Sequence, residues 1–152
     1  EVRGYARTPR SIEGVATFAG SDQLAAFAGG LDIVVSVLPL TPETTGIINA
    51  GFFAMLADGA FIINGGRGPQ VDDDDLLAAL DSGKLGGAAL DVFAVEPLPQ
   101  DHPFWAHPKV RVWPHVAAQT NATSAAKQVA AAITAMMDGS EPANRVDWSR
   151  GY

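Results

Sequence analysis

The chain has 152 residues, of which 47% are hydrophobic and 18% are charged, with a net charge of -7 and no cysteine. This length and composition predict one globular domain large enough to bury a core. The acidic balance makes nucleic acid a poor candidate partner, and every apolar run is shorter than the ~20 residues that a membrane helix needs. Without cysteine, the chain has no disulfide and no cysteine metal cluster, which suits a cytoplasmic protein.

Apolar strands alternate with helices along the chain. In chain order, the patterns predict a strand at 2–6, a helix within 22–30, a strand at 32–38, a helix at 50–59, a strand at 60–64, a helix at 72–85, strands at 86–93 and 109–115, and a long helix at 120–139. This alternation favours an α/β fold with a parallel sheet. The continuous β-branched run at 32–38 is typical of a strand buried on both faces.

Ligands of open parallel sheets bind outside the carboxyl ends of the strands. Polar and conformationally special residues follow the predicted strand ends, namely Ala6-Arg7, Leu38-Pro39, Asn64 to Arg67, Asp91 and His115. Because these ends meet at one edge of a sheet, we expect the candidate site there.

Three of the candidates have side chains suited to acid–base chemistry and anion binding. His115 follows the stiff Pro114, and Glu96 is a carboxylate just past another strand end, an arrangement typical of a general acid–base pair. Arg67, among glycines, is suited to bidentate capture of a carboxylate. Taken singly, a core histidine, a solvated loop acid and a surface arginine are the alternative interpretations.

Other charged residues have simpler explanations. Arg7 and Arg10 follow the first strand, where arginines accommodate a ribose 2′-phosphate in dinucleotide-binding folds; two solvated loop arginines are the alternative. The acidic run 72–75 is explained by the helix dipole, so no metal site is expected. His102 and His107 are interpreted as loop residues, and Trp105 as an anchor of their loop.

Several long motifs resemble those of a known family. "NGGRG", "LLAALDSGKLGGAALDVFAVEPLP", "HPFWAHPKV" and "PHVAAQT" are similar to the D-isomer-specific 2-hydroxyacid dehydrogenases, in particular the glyoxylate/hydroxypyruvate reductase branch. The likeness extends from residue 1 to the closing "RVDWSRGY". It implies a Rossmann-type, doubly wound parallel sheet and reduction of a short 2-oxo acid to the 2-hydroxy acid by hydride transfer from NAD(P)H.

The resemblance also implies a role for each motif residue. Arg67 matches the arginine that holds the substrate carboxylate, His115 the proton donor and Glu96 its partner; formate dehydrogenases of the superfamily carry glutamine at that position. Arg7 and Arg10 match the branch that prefers NADPH, with NAD as a possible cofactor. The remaining cofactor contacts are implied for Leu38, Pro39, Thr44, Gly65, Gly66 and Asp91, together with Arg67 and His115.

Part of the family pattern is absent. The chain lacks the G-x-G-x-x-G loop, the first strand and the substrate domain, so we expect it to belong to a longer protein, a homodimer when complete. Residues 1–118 would form a partial dinucleotide-binding domain with its sheet in two pieces, and 119–152 a helix and tail packed on the substrate domain. A non-catalytic dinucleotide-binding or interaction module, or an inactive fragment, is the alternative.

Overall fold

The computed structural model describes residues 1–147 of the chain. It divides into two compact units, Glu1–His115 and the part that follows from Val116. The strands of the first unit are β1 (Arg3–Ala6), β2 (Ala16–Ala19), β3 (Ile33–Ser36), β4 (Ala60–Asn64), β5 (Leu85–Leu90) and β6 (Val110–Val112). Its α-helices are α1 (Leu24–Ala28), α2 (Ala50–Met55) and α3 (Asp73–Asp81), and short 3-10 turns lie at Ser21–Gln23, Gly68–Gln70 and Pro103–Trp105.

The strands form a parallel sheet in two pieces, as the family resemblance implied. One piece is the pair β1–β2, and the other has the order β3-β4-β5-β6. A groove of about 230 Å³ lies between them, lined by Tyr5 and Phe27 on one side and Val35 on the other. In the described part of the chain, neither β1 nor β3 pairs with a strand on its edge at this groove. The strand β2 was not predicted from the sequence.

The register of the four-stranded piece brings its carboxyl ends to one level. Ser36 is paired with Asn64, Asn64 with Leu90, and Leu90 with Val112. The backbone hydrogen bonds continue one step further, where Gly65 donates to Ser36 and Asp91 donates to Asn64. The segments that leave the strands therefore start side by side.

Helices α2 and α3 cover one face of this sheet. Their apolar side chains enclose a core with Ile62 and Leu90, in which Phe53, Leu76 and Leu80 are almost completely buried. The prediction that β3 is buried on both faces is wrong. Ile33 and Val35 alternate with buried neighbours and are more than half exposed, because no described segment of the first unit packs on that face.

The acidic run 72–75 forms the N-cap and the first turn of α3. Asp72 caps α3 by accepting a hydrogen bond from the backbone N–H of Asp75 at 3.0 Å. The carboxylate of Asp75 accepts from the backbone N–H of Ala50 at 2.8 Å and thereby joins the starts of α2 and α3. Carboxylates near helix N-termini are stabilised by the helix dipole, as the sequence indicated.

The second unit contains helix α4 (Ala122–Met137), which Asn121 caps. Val129, Ile133, Met136 and Met137 are exposed on it. Among the described residues, no helix combines the length and apolar character that crossing a membrane requires. The predicted closing motif "RVDWSRGY" lies partly outside the described residues.

We expect Leu80→Ala to destabilise the fold without touching the carboxyl edge. Leu80 is completely buried in α3, and loss of a buried leucine side chain together with the cavity that it leaves costs about 3 kcal/mol. Thermal or denaturant unfolding of the protein that carries this chain would measure the loss. Unfolding at the wild-type midpoint would contradict the assigned core.

Candidate active site

The turn after β4 presents Arg67 at the carboxyl edge. Asn64, at the end of the strand, is 1% exposed. Its Oδ1 accepts from the N–H of Gly66 and its Nδ2 donates to the carbonyl of Arg67, both at 3.1 Å. The guanidinium Nη1 of Arg67 donates to the Gly66 carbonyl at 2.7 Å. One buried amide thus shapes the turn, and the arginine side chain remains exposed.

Gly68 places this turn against the loop that carries Glu96. A Cβ atom on Gly68 would lie 1.8 Å from the carbonyl carbon of Phe93 and 2.3 Å from the backbone nitrogen of Ala94. Only glycine allows the two backbones to approach so closely. The position of Arg67 is therefore fixed relative to the Glu96 loop by direct backbone contact.

Glu96 and His115 form a hydrogen-bonded pair. The imidazole Nδ1 donates to Oε2 of the carboxylate at 2.8 Å, while Oε1 accepts from the backbone N–H of Phe93 at 2.9 Å. His115 has a φ of 56°, which is uncommon for a residue other than glycine. With Nδ1 held by the carboxylate, Nε2 is the ring nitrogen that remains for proton exchange with a ligand.

The charge state of Glu96 follows from these contacts. The hydrogen bond from His115 lowers the pKa of the Glu96 carboxyl below its ordinary value of 4.5, the backbone N–H of Phe93 lowers it further, and the positive charge of Arg67 contributes least. Because the folded-state pKa is lowered, the stabilisation that the ionised Glu96 carboxylate contributes is present above pH 4.5 and is lost as the pH falls through the folded-state value. The Glu96 carboxyl is thus ionised at neutral pH, chiefly through His115 and the Phe93 N–H, with a minor contribution from Arg67.

An apolar cleft of about 650 Å³ adjoins the pair. Besides Glu96 and His115, its lining includes Leu98, Trp105 and Trp113. Apolar walls strengthen electrostatic interactions with a ligand that fills the cleft and excludes water.

The loop beside the cleft is held by Phe104 as well as by its histidines. Phe104, not Trp105, is the buried anchor, at 1% exposed; the Trp105 indole instead donates to the Pro99 carbonyl at 2.8 Å. His102 and His107 pair with the α3 residues Asp73 and Asp81, at 3.6 and 3.3 Å.

The residues expected at a cofactor lie in segments that follow strand ends of the two sheet pieces. Leu38 and Pro39 follow β3, and the Thr44 hydroxyl donates to the Pro39 carbonyl at 2.7 Å, so this threonine shapes the loop. Gly65 and the buried Asp91 follow β4 and β5. Arg7 and Arg10 lie past the end of β1, in the other sheet piece, and both are exposed.

Sequence reasoning missed Gln70, whose side chain is completely buried. It lies in a turn between Arg67 and the capped helix α3, where no periodic pattern marks a residue as buried. The available signal was a lone uncharged polar residue between Pro69 and Val71.

We expect Gly68→Ala to lower the unfolding midpoint by several degrees. The added methyl group overlaps the Phe93 backbone, and relieving such an overlap costs about 1–3 kcal/mol. Gly51→Ala, at an exposed position of α2, is the matched control: its Cβ would meet only the end of the Asn49 side chain, at 3.2 Å, so the midpoint should change much less. Equal midpoints for Gly68→Ala and wild type would refute the close contact.

Comparison with known proteins places this chain in a family. Residues 1–117 match the model of the D-isomer specific 2-hydroxyacid dehydrogenase NAD binding domain. The glyoxylate/hydroxypyruvate reductases A of Serratia proteamaculans and Yersinia enterocolitica are 51% and 49% identical over 151 residues. Those residues are 99% of this chain but 48% of either relative, so the chain spans about half the length of the curated relatives it matches.

Solved structures of the same family have the same fold as this chain. A D-isomer specific 2-hydroxyacid dehydrogenase from Xanthobacter autotrophicus Py2, in complex with NADPH and MES, superposes with a TM-score of 0.95 at 48% identity, over 99% of this chain and 62% of that one. The NADPH-dependent glyoxylate/hydroxypyruvate reductase of Sinorhizobium meliloti, in complex with NADP and sulfate, gives 0.93 at 43% identity, over 99% and 49% of the two chains. The chain belongs to the D-isomer specific 2-hydroxyacid dehydrogenase family and contains a Rossmann-type sheet from its NAD binding domain.

Proposed function

We propose that the protein carrying this chain reduces a short 2-oxo acid, of the glyoxylate or hydroxypyruvate type, to the 2-hydroxy acid with NADPH. The observation that carries the proposal is the Glu96–His115 pair, joined at 2.8 Å within the electrostatic reach of Arg67. A proton donor and a carboxylate-binding cation at one sheet edge are what this reduction needs. The names of the similar reductases support the same reaction.

The residues at the edge fit a phosphorylated dinucleotide. Arg7 and Arg10 follow β1, and position 6 is alanine rather than the acid that would bond a ribose 2′-hydroxyl. Two guanidinium groups there suit a 2′-phosphate, which favours NADPH over NADH. When bound, the nicotinamide supplies a hydride to the carbonyl carbon of the substrate.

His115 supplies the proton that completes the reduction. In its charged form the imidazole holds Nδ1–H on Glu96 and offers Nε2–H to the substrate oxygen. The carboxylate stabilises the imidazolium before transfer and fixes the ring direction throughout. After transfer the substrate oxygen is a hydroxyl, and the neutral ring recovers its proton from solvent.

Arg67 holds the substrate carboxylate and polarises the adjacent carbonyl. Its guanidinium is planar and permanently charged, so it binds a carboxylate through two parallel hydrogen bonds. The bond from Nη1 to Gly66 and the backbone contact of Gly68 limit where the group can lie. Orientation of the acid by such a clamp brings its carbonyl oxygen to the histidine.

The setting of the intact protein is part of the proposal. We infer a cytoplasmic location from the cysteine-free composition. We infer a homodimer from the family resemblance. The predicted segment 119–152, of which the structure describes residues up to 147, would pack through helix α4 on a substrate domain of that protein.

Loss of His115 tests the function directly. In the intact protein, NADPH oxidation with glyoxylate or hydroxypyruvate should fall about 10²–10⁴-fold in His115→Ala, because the proton donor is removed. His107→Ala is the matched control, since it also removes a carboxylate-paired imidazole, on Asp81, and it should stay near wild type. If the wild-type protein does not oxidise NADPH with either acid, the proposed reductase function is wrong. If His115→Ala is as active as the wild type, His115 is not the proton donor.

Arg7 should decide the choice of dinucleotide. Arg7→Asp replaces a phosphate ligand by a repelling charge, so the ratio of kcat/KM with NADPH to that with NADH should drop about tenfold or more. Arg145→Asp, in the second unit, controls for the change in net charge. An unchanged ratio in Arg7→Asp would remove this arginine from the cofactor site.

A further inference from the structure

The buried side chain of Gln70 forms a set of hydrogen bonds that has no direct part in the proposed reaction. This side chain is 0% exposed. Gln70 is the last residue of the 3-10 turn Gly68–Gln70, and this turn starts directly after Arg67. Burial of a carboxamide is unfavourable unless its hydrogen bonds are made within the protein.

All four hydrogen-bonding capacities of this carboxamide are used. The oxygen Oε1 accepts from the Ser36 hydroxyl at 3.1 Å and from the backbone N–H of Arg67 at 3.2 Å. The nitrogen Nε2 donates to the carbonyls of Leu38 at 2.8 Å and Pro39 at 3.1 Å. A glutamine amide offers two acceptor and two donor positions, so the side chain is fully satisfied.

These four bonds join segments that are far apart in the sequence. Leu38 and Pro39 belong to the loop expected along the cofactor, and Arg67 belongs to the turn expected at the substrate carboxylate. Ser36 ends β3 and anchors the link to the sheet. A displacement of either loop would break buried hydrogen bonds to the other, which a low-dielectric interior makes costly.

The surrounding backbone leaves room for this carboxamide and little else. A Cβ on Gly66 would lie 2.6 Å from Oε1 of Gln70 and 2.9 Å from the Leu38 carbonyl oxygen. The glycine therefore lets the amide reach both loops. An apolar side chain at position 70 would leave the two carbonyls and the Arg67 N–H without this partner.

We propose that Gln70 is a positioning residue that links the cofactor loop to the Arg67 turn, so that the dinucleotide and the 2-oxo acid bind cooperatively. The proposal rests on the proposed function, which assigns the two ligands to the two loops. A dinucleotide that fixes Leu38 and Pro39 thereby fixes the backbone of Arg67. By linkage, an acid bound to Arg67 strengthens dinucleotide binding by the same factor.

Binding measurements alone give the factor by which a bound acid strengthens the binding of NADPH. In the intact protein, the dissociation constant of NADPH is measured from its fluorescence, with and without saturating oxalate, a dicarboxylate that resembles a 2-oxo acid and is not reduced. The ratio of the two constants should be about fivefold or more in the wild type and should approach one in Gln70→Leu. A merely structural role would lower stability and leave the ratio intact.

Two further variants keep the test decisive. Leu80→Ala, destabilised in α3 away from the carboxyl edge, should retain the wild-type ratio. Gln70→Glu, when protonated, can still accept from Arg67 and donate to one carbonyl, whereas its ionised form can only accept. The Glu96–His115 pair titrates in both proteins, so each ratio is compared with that of the wild type at the same pH. Relative to the wild type, the Gln70→Glu ratio should therefore recover at acid pH and fall as the pH rises.

The outcomes separate the two proposals. A wild type that binds NADPH but reduces no 2-oxo acid overturns the proposed function, whatever its binding ratio. A wild-type ratio of one, an unchanged ratio in folded Gln70→Leu, or a Gln70→Glu ratio that equals that of the wild type at every pH overturns the role of Gln70, whatever the activity.

Discussion

The hydrogen-bonded register of β3, β4, β5 and β6 is the constraint on which the site depends. Ser36, Asn64, Leu90 and Val112 are paired in turn, so the four strands end at one level. The chemistry lies in the few residues after each end, on loops that would otherwise have no reason to meet. A slip of one residue in any ladder would turn buried side chains such as Ile62 toward the other face of the sheet. Packing of the Ile62 face on α2 and α3 prevents the slip and thereby holds the loops in place.

The same sheet leaves two apolar surfaces open in the first unit. One is the groove between β1 and β3, and the other is the face that carries Ile33, Val35 and Phe61. Parallel sheets are ordinarily covered on both faces, and the chain spans about half of its curated relatives. The carboxyl edge does not need that cover to take its form, since the Glu96–His115 hydrogen bond and the approach of Gly68 to the Phe93 backbone are made by the loops themselves.

The sequence was most informative where a strong local pattern ended in a breaker. Apolar β-branched runs closed by glycine or proline located β3 and β4, and the residues after the predicted strands included Arg67 and His115. The strand β2, with the residues "ATFA", was missed because four small or mixed residues give no clear period. The exposure of Val35 was missed because an apolar run does not reveal which of its faces another segment covers. Gln70 was missed because its burial depends on four partners from separate segments, and none of them is visible in its local sequence.

Backbone contacts hold the loops that carry Arg67, Glu96 and His115, although few hydrogen bonds join these side chains directly. His115 adopts a positive φ, a conformation that costs about 1 kcal/mol or more for such a residue. The bond to Glu96 helps to offset this cost and sets the ring direction. Glu96 in turn is held by the Phe93 N–H, next to the carbonyl that packs on Gly68. Since Gly68 directly follows Arg67, this path runs through backbone from the imidazole to the guanidinium, and its geometry changes only if a whole loop moves.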